Sequence, residues 1–192
     1  CLRDLSNTAI LPAQYEQAAR VQAIALDNGG GAFDWSDQSE DRTKLWQARH
    51  RAYYAGLALK PESQGLVTDV CVPISRLADC IRETKADLDQ CSMPAPLLGH
   101  VGDGNFHVCF IMDRDVPEQI EEAERLHHRM VERALSMGGT CTGEHGIGMG
   151  KRDLLINEAG DGLVVMARIK RALDPNNILN PGKIFHPAIE DI

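Results

Sequence analysis

The sequence lacks the patterns that most often identify a function by themselves. No apolar run approaches the ~20 residues that a membrane-spanning helix needs. There is no glycine-rich dinucleotide fingerprint after a predicted strand, no P-loop and no Gly-x-Ser-x-Gly elbow. No basic patch is present and the formal net charge is −8, so nucleic acid is a poor partner. The chain is therefore not expected to bind a dinucleotide on its own.

The cysteines do not form a metal or disulfide pattern. None of the six has Cys-x-x-Cys spacing, and Cys71, Cys109 and Cys141 lie in runs that are predicted strands, which favours reduced core thiols. The 192 residues, 43% of them apolar, indicate about one domain with a real core. A chain that begins at Cys1, without Met or a targeting segment, is expected to be a piece of a longer protein.

The order of predicted elements indicates the fold class. Apolar spacing predicts helices over 12–28, 37–59, 74–90, 117–137, 148–158 and 160–173, and strands over 67–73, 95–112 (a hairpin) and 139–143. A β-α-β-β-α-β order predicts an α+β fold. We expect a ferredoxin-like antiparallel sheet of four or five strands with helices packed on one face, plus extra C-terminal helices.

The stretch Gly99–His107 places two histidines around an Asp-Gly turn. If Asp103 and Gly104 are the two loop residues of a type I′ hairpin, His100 lies directly opposite His107. Directly opposed residues share a face, with Cβ atoms ~5 Å apart, so both imidazoles could reach one metal ion. The alternative is a hairpin whose histidines make only cross-strand hydrogen bonds.

A second polar pair, Glu144-His145, is bracketed by glycines at 143 and 146. In a flat strand the two side chains would point to opposite faces, but glycine on both sides lets the backbone twist toward one site. Two His and one Glu form a three-ligand set with an open position, which suits zinc, manganese or iron. A flexible loop with two solvated polar residues is the alternative.

Five ordered motifs resemble one known family. They are LWQARHRAYYA (45–55), TDVCVPISRL (68–77), GHVGDGNFH (99–107), GGTCTGEHGIG (138–148) and LDPNNILNPGKIF (173–185). Together they resemble the C-terminal half of the FAD-linked oxidases of the vanillyl-alcohol oxidase type. Within that family they look most like the D-lactate dehydrogenase (cytochrome) and glycolate oxidase flavoprotein branch. The resemblance covers about residues 40–187.

The resemblance implies an enzyme of two domains, with most of the FAD held by an N-terminal domain that these residues do not include. Residues 1–140 would form the sheet-and-helix substrate domain, and residues 141–192 a segment that packs on the FAD domain. The family's metal ligands match His100, His107 and Glu144. Its active-site histidine, its substrate-carboxylate arginine and a segment against the flavin match His145, Arg49 and Asn180.

The implied activity is hydride transfer from C2 of a D-2-hydroxy acid to the flavin. Arg49 would bind the substrate carboxylate, a divalent metal ion would lower the pKa of the hydroxyl, and His145 would take its proton. The fragment alone is expected to be inactive. The resemblance leaves the electron acceptor open among a cytochrome, a quinone and an electron-transfer flavoprotein. It also leaves open whether the protein forms a homodimer. The implied location is the cytoplasm or the membrane periphery in a bacterium, and the mitochondrion in a eukaryote.

Three positions narrow the substrate. In relatives that act on D-2-hydroxyglutarate, a threonine, a lysine and an asparagine help to hold the longer diacid. The matching positions here are Tyr53, Val67 and Cys109. None offers a cation to a second carboxylate, so a short monocarboxylate such as D-lactate or glycolate is expected.

Three other classes of protein are compatible with the sequence. The chain could be a self-standing metal-binding α+β module, a hydrolase that uses the His/His/Glu set, or an interaction domain of a larger complex. A flavoenzyme portion predicts an exposed, partly apolar face near Asn180 and His145. A self-standing metallohydrolase predicts a closed surface with its pocket formed inside this chain.

Overall fold

A computed structural model describes residues 12–31 and 33–186, which divide into two compact units between Ala55 and Gly56. The start of the predicted 1–140 domain, including Cys1, and the end of the predicted 141–192 segment lie outside these residues. Among the residues described, no helix is long and apolar enough to cross a membrane.

The first unit contains helices α1 (Pro12–Asp27) and α2 (Ser39–His50), and helix α3 (Ala52–Leu57) crosses the division between the units. The single helix predicted over 37–59 is therefore wrong. The interruption is local, because backbone hydrogen bonds from Arg51 to Gln47 and from Ala55 to Arg51 continue on either side. Helix α3 ends at Leu57, after which the Leu59 and Lys60 amides donate to the Gly56 and Leu57 carbonyls in tighter turns.

The second unit is built around one central strand. Its strands are β1 (Gln64–Val67), β2 (Val70–Cys71), β3 (Leu97–His100) and β4 (Asn105–Met112). Strand β4 pairs antiparallel with each of the other three. The helices of this unit are α4 (Ile74–Leu88), α5 (Pro117–Ser136), α6 (Arg152–Ala159) and α7 (Gly162–Leu173).

The two faces of β4 have different roles, although all eight of its residues are buried. One face packs in the main core with apolar residues of α4 and α5, and it carries Phe106, Val108, Phe110 and Met112. The opposite face carries Asn105, His107, Cys109 and Ile111. Of the three cysteines predicted to be reduced core thiols, Cys109 and Cys141 are buried free thiols, whereas Cys71 is a free thiol that is only partly buried. The α+β class is confirmed, with α4 and α5 packed on one face of the sheet.

The strand predicted over 67–73 is interrupted at Thr68 and Asp69, which separate β1 from β2. The carbonyl oxygen of Thr68 accepts a hydrogen bond from the His107 ring rather than from the Val108 amide. The Val108 amide donates to the Thr68 hydroxyl. The strand predicted over 139–143 is reduced to a single bridge between Thr140 and Cys71. Both changes occur where backbone groups bond to side chains rather than to a neighbouring strand.

The C-terminal helices enclose a second, smaller core formed by Leu155, Leu163, Ala167 and Phe185. The helix predicted over 148–158 begins later, at Arg152, after two glycines with positive φ at 146 and 148. The Ile184 amide donates to the Gly148 carbonyl at 2.7 Å, and Arg152 donates to the Gly182 carbonyl at 3.3 Å. These bonds tie the segment after α7 to the loop that follows His145.

Candidate active site

The hairpin that carries the two histidines has a loop of four residues, 101–104, rather than the predicted loop of two residues. His100 pairs with Asn105 and Leu98 pairs with His107, so the predicted direct opposition of the histidines is wrong by two positions. A shift of two positions keeps every side chain on its face. His100 and His107 therefore remain neighbours, with their rings nearly perpendicular and their centroids 5.8 Å apart.

The end of the hairpin loop also makes a close contact between Gly104 and Val72. The Val72 amide donates to the Gly104 carbonyl at 2.9 Å, which aligns the end of the loop with the chain that leaves β2. Gly104 has a φ of 77°, and a Cβ there would lie 2.0 Å from the Val72 carbonyl oxygen. Only glycine allows this approach. The loop is held both by this long-range contact and by its own turn, in which the Asp103 amide donates to the His100 carbonyl at 2.8 Å.

The carboxylate of Glu144 lies at the centre of three imidazoles. Its Oε1 atom is 3.3 Å from His100 Nε2, 3.0 Å from His107 Nε2 and 3.6 Å from His145 Nε2. The His145 ring stacks on the His107 ring, with centroids 4.8 Å apart and planes within 13°. The structure thus brings together four of the six residues predicted for the site.

The hydrogen bonding of His107 fits a metal ligand. Its Nδ1 lies 3.0 Å from the Thr68 carbonyl oxygen, which can only accept, so the proton is assigned to Nδ1. The lone pair of Nε2 then points toward Glu144, and buried Nε2 makes no hydrogen bond with any described residue. A backbone carbonyl behind the ring is a common arrangement for ligating histidines. A cation bound between these two acceptors, which lie 3.0 Å apart, would offset the repulsion of their lone pairs.

Among the residues that the structure describes, two sets of three groups have ligand atoms close enough to share one cation. They are His100, His107 and Glu144, and the set of Asp69, His107 and His145. In the second set, the Asp69 carboxylate already accepts hydrogen bonds from side chains and amides on both oxygens. In the first set, Glu144 Oε1 lies 3.3 Å from His100 Nε2 and 3.0 Å from His107 Nε2. The donor atoms of His100, His107 and Glu144 therefore fit a divalent ion better.

Asp69 is a site residue that the sequence reasoning missed. It is fully buried, and its Oδ2 accepts the backbone amides of Gly143, Glu144 and His145 at 2.9, 3.1 and 2.9 Å. Burial by itself would raise the pKa of Asp69, but these bonds, with those from Thr142 and Asn105, hold it well below the usual range. The available signal was a lone carboxylate inside the apolar run VTDVCVP, since a buried charge is rare unless it is paired.

A partly buried lysine links the same carboxylate to the chain before the loop. Lys151 Nζ donates to the Asp69 carbonyl at 3.0 Å and to the Cys141 carbonyl at 2.9 Å, and it lies 3.5 Å from Asp69 Oδ2. On the other side, Asn105 donates to Asp69 Oδ1 at 2.7 Å. The loop that carries Glu144 and His145 is therefore held by buried polar groups rather than by strand pairing.

The other two predicted site residues lie elsewhere in the chain. Arg49 is in the last turn of α2, in the first unit, where its guanidinium carbon is 5.2 Å from the centre of the Trp46 ring. Asn180 lies in the exposed segment after α7 with a φ of 49°, and its carbonyl accepts the Lys183 amide. The roles expected for these two residues stay predictions.

Comparison with known proteins identifies relatives along most of the chain. The family described as "FAD linked oxidases, C-terminal domain" matches residues 7–184. A Danio rerio protein named as a probable mitochondrial D-lactate dehydrogenase is 50% identical over 174 residues, 88% of this chain and 34% of the relative. The mitochondrial D-lactate dehydrogenase (cytochrome) of Arabidopsis thaliana is 47% identical over 175 residues, covering 91% of this chain and 31% of the relative.

A bacterial relative is more distant. The glycolate oxidase subunit GlcD of Bacillus subtilis is 33% identical over 172 residues, which are 86% of this chain and 35% of that subunit. The chain thus spans about a third of the length of the curated relatives it matches.

Proposed function

Because the chain belongs to the FAD-linked oxidase C-terminal domain family, we propose that it is the C-terminal part of an FAD-dependent D-2-hydroxy acid dehydrogenase acting on D-lactate or glycolate. The observation that carries the proposal is the convergence of His100, His107 and Glu144 beside the His145 ring. Relatives named D-lactate dehydrogenase and glycolate oxidase support the choice of substrate class.

In this proposal His100, His107 and Glu144 hold a divalent cation such as zinc, manganese or iron. When bound, the flavin accepts the hydride and the cation lowers the pKa of the substrate hydroxyl. The Thr68 carbonyl keeps the His107 proton on Nδ1, so that Nε2 is available without the loss of a proton. The open positions of a three-ligand set leave room for a substrate.

His145 is proposed to take the hydroxyl proton of the substrate at a ring nitrogen. Its side chain is about 43% exposed, so a small molecule can reach it, and the stacked His107 ring fixes its plane. Arg49 is proposed to bind the substrate carboxylate, because a guanidinium offers two parallel donors to the two oxygens. Orientation and proton transfer are then the contributions of this chain, and the redox step belongs to the cofactor.

We further propose that residues 141–192 pack on an FAD-binding domain outside this chain. Helix α7 buries Leu163 and Ala167 in the smaller core. Its opposite side presents an exposed apolar stripe of Val165, Met166, Ile169 and Leu173. A helix with apolar groups on both sides needs a second covering partner. About two thirds of the length of each relative lies outside the matched region, which is enough chain to supply that domain.

The test uses the complete reading frame that contains this chain. We expect a flavoprotein whose flavin absorbance is bleached by D-lactate or glycolate, and which binds one equivalent of Mn²⁺ in a calorimetric titration. His107→Ala and Glu144→Gln should each weaken Mn²⁺ binding by tenfold or more, on the order expected for loss of a ligand or its support. His128→Ala is the control, since His128 is exposed on α5 and paired with Glu132.

Two outcomes would contradict the proposal. A purified full-length protein without flavin would favour a self-standing metal-binding module or a metallohydrolase. A flavoprotein whose Mn²⁺ affinity is the same in the wild type, His107→Ala and His128→Ala would remove the metal site from the proposal.

A further inference from the structure

Asp69 gathers more hydrogen bonds than any other side chain described near the site. Its Oδ2 accepts the amides of Gly143, Glu144 and His145 and the hydroxyl of Thr142 at 2.7 Å. Its Oδ1 accepts the Asn105 side chain. Three consecutive amides converge on a single oxygen, as they do around an anion bound in a backbone nest. Here the anion is part of the protein, and it stands more than 70 residues earlier in the chain.

This arrangement solves a geometric problem at the site. Adjacent residues on an extended strand point to opposite faces. The Glu144 and His145 side chains nevertheless meet on one side, with Oε1 and Nε2 3.6 Å apart, and both approach His107. Curling the three amides around Asp69 gives the backbone the bend that makes this placement available.

We propose that Asp69 is the positioning residue of the site, and that its carboxylate fixes Glu144 and His145 against His107. This inference rests on the proposed function. Asp69 touches neither substrate nor cation in this assignment, and it acts through the backbone of the two residues that do. Thr68, the preceding residue, positions His107 through its carbonyl, so the interruption between β1 and β2 orients three of the four clustered groups.

Asp69→Asn is a sharp test because neither orientation of the amide fits. If the amide oxygen faces residues 143–145, its NH₂ group meets the NH₂ group of Asn105, which donates to the same side chain. If the amide is reversed, its NH₂ group faces three N–H donors. The substitution keeps the size of the side chain while it replaces one of the two acceptor oxygens by a donor, so one side of the network always faces a second donor.

The matched control is Asp174→Asn. Asp174 is also buried and also accepts two consecutive backbone amides, those of Ile178 and Leu179, at 2.9 and 2.8 Å. It lies after α7 in the same unit. Both substitutions should lower the melting temperature. Only Asp69→Asn should weaken Mn²⁺ binding, by about tenfold or more as for a group that orients a metal ligand, and speed hydrogen exchange of the 143–145 amides.

Thr142→Val provides a milder variant if Asp69→Asn fails to fold. It removes one donor to Oδ2 and should shift Mn²⁺ affinity in the same direction by a smaller factor. Unchanged Mn²⁺ affinity in folded Asp69→Asn, or in Thr142→Val where the former does not fold, would overturn the positioning role while leaving the metal site intact. A wild-type protein that binds no Mn²⁺ would overturn the proposed metal site, and this role with it.

Discussion

Val67 pairs directly with Cys109 across β1 and β4, on the face of the sheet that carries His107. Val67 is about 38% exposed, whereas Cys109 is buried. The two positions at which relatives acting on D-2-hydroxyglutarate are expected to carry a lysine and an asparagine are thus neighbours here. Neither presents a positive charge.

We expect the full-length flavoprotein to prefer a short substrate for this reason. A distal carboxylate placed against Val67 and Cys109 would lose hydration without gaining a cation, which is strongly unfavourable. The kcat/KM for D-lactate should therefore exceed that for D-2-hydroxyglutarate. Val67→Lys should move this ratio toward the diacid by about tenfold or more, the usual range for one charge-assisted hydrogen bond.

Gln64→Lys is the control for Val67→Lys, because Gln64 is an exposed residue of the same strand, three positions away and on the other face. It should leave the ratio unchanged. A wild-type enzyme that prefers the diacid would show that another cation serves the second carboxylate.

Arg49→Ala should raise KM for the 2-hydroxy acid with a smaller effect on flavin reduction at saturating substrate. Loss of a charge-assisted partner costs about 1.5–3 kcal/mol, or roughly ten- to a hundredfold in the constant that reports substrate binding. On the full-length protein, steady-state kinetics measure KM and stopped-flow kinetics measure the rate constant of flavin reduction. Lys44→Ala is the comparison, since Lys44 is an exposed cation of the same helix paired with Asp41. Identical kinetics for Arg49→Ala and wild type would reject the role of Arg49.

His145→Ala should give the opposite pattern. Without a ring to take the hydroxyl proton, the rate constant of flavin reduction should fall by about a hundredfold or more, as for loss of a general base. Mn²⁺ affinity should change much less than in His107→Ala, because His145 is not in the preferred ligand set. Single-turnover measurements separate the two. If His145→Ala reduces its flavin at the wild-type rate, the proton passes to a different group.

Gly143→Ala should disturb the site through packing. A Cβ at residue 143 would lie 1.9 Å from Asn105 Nδ2 and 3.1 Å from Asp69 Oδ1. Displacing this buried pair should lower the free energy of unfolding by about 1–3 kcal/mol and weaken Mn²⁺ binding. At Gly150 a Cβ would meet no atom within 4 Å, so Gly150→Ala should leave both quantities nearly unchanged. Denaturant titration and calorimetry would show whether the two variants differ as expected.

His127 on α5 should make stability depend on pH. Burial, with Lys151 and His128 nearby, lowers the pKa of His127 from 6.5 to about 4. His127 takes up a proton near pH 6.5 in the unfolded chain, but only near pH 4 in the folded protein. The free energy of unfolding therefore decreases as the pH falls from about 6.5 to about 4. The full difference is on the order of 3 kcal/mol. His127→Leu should flatten the dependence, measured by denaturant unfolding from pH 7 to 4.

The control for this experiment is His128→Gln, at an exposed position next along the same helix. It should retain the wild-type pH profile. If His127→Leu and the wild type lose stability in parallel, the acid-sensitive group lies elsewhere.

The sequence by itself determined the main elements and the candidate ligands. Apolar spacing located α5 and the buried strand β4 to within a few residues, because these preferences arise between neighbours along the chain. The two-residue period of a hairpin placed His100 and His107 on one face even though their register was wrong. A shift of two positions leaves every side chain on the same face of the sheet, so the two histidines were placed together without the correct pairing.

Only the tertiary structure decided how these groups meet. The end of the hairpin loop contacts Val72 through Gly104, and the carbonyl of Thr68 bonds to the His107 ring rather than to a neighbouring strand. Asp69 bent the 143–145 segment, so the strand predicted over 139–143 became a single bridge. Each effect joins a buried polar group to a partner far away in sequence. Such a group must find its partner once water is excluded, and spacing along the chain does not encode which partner that is.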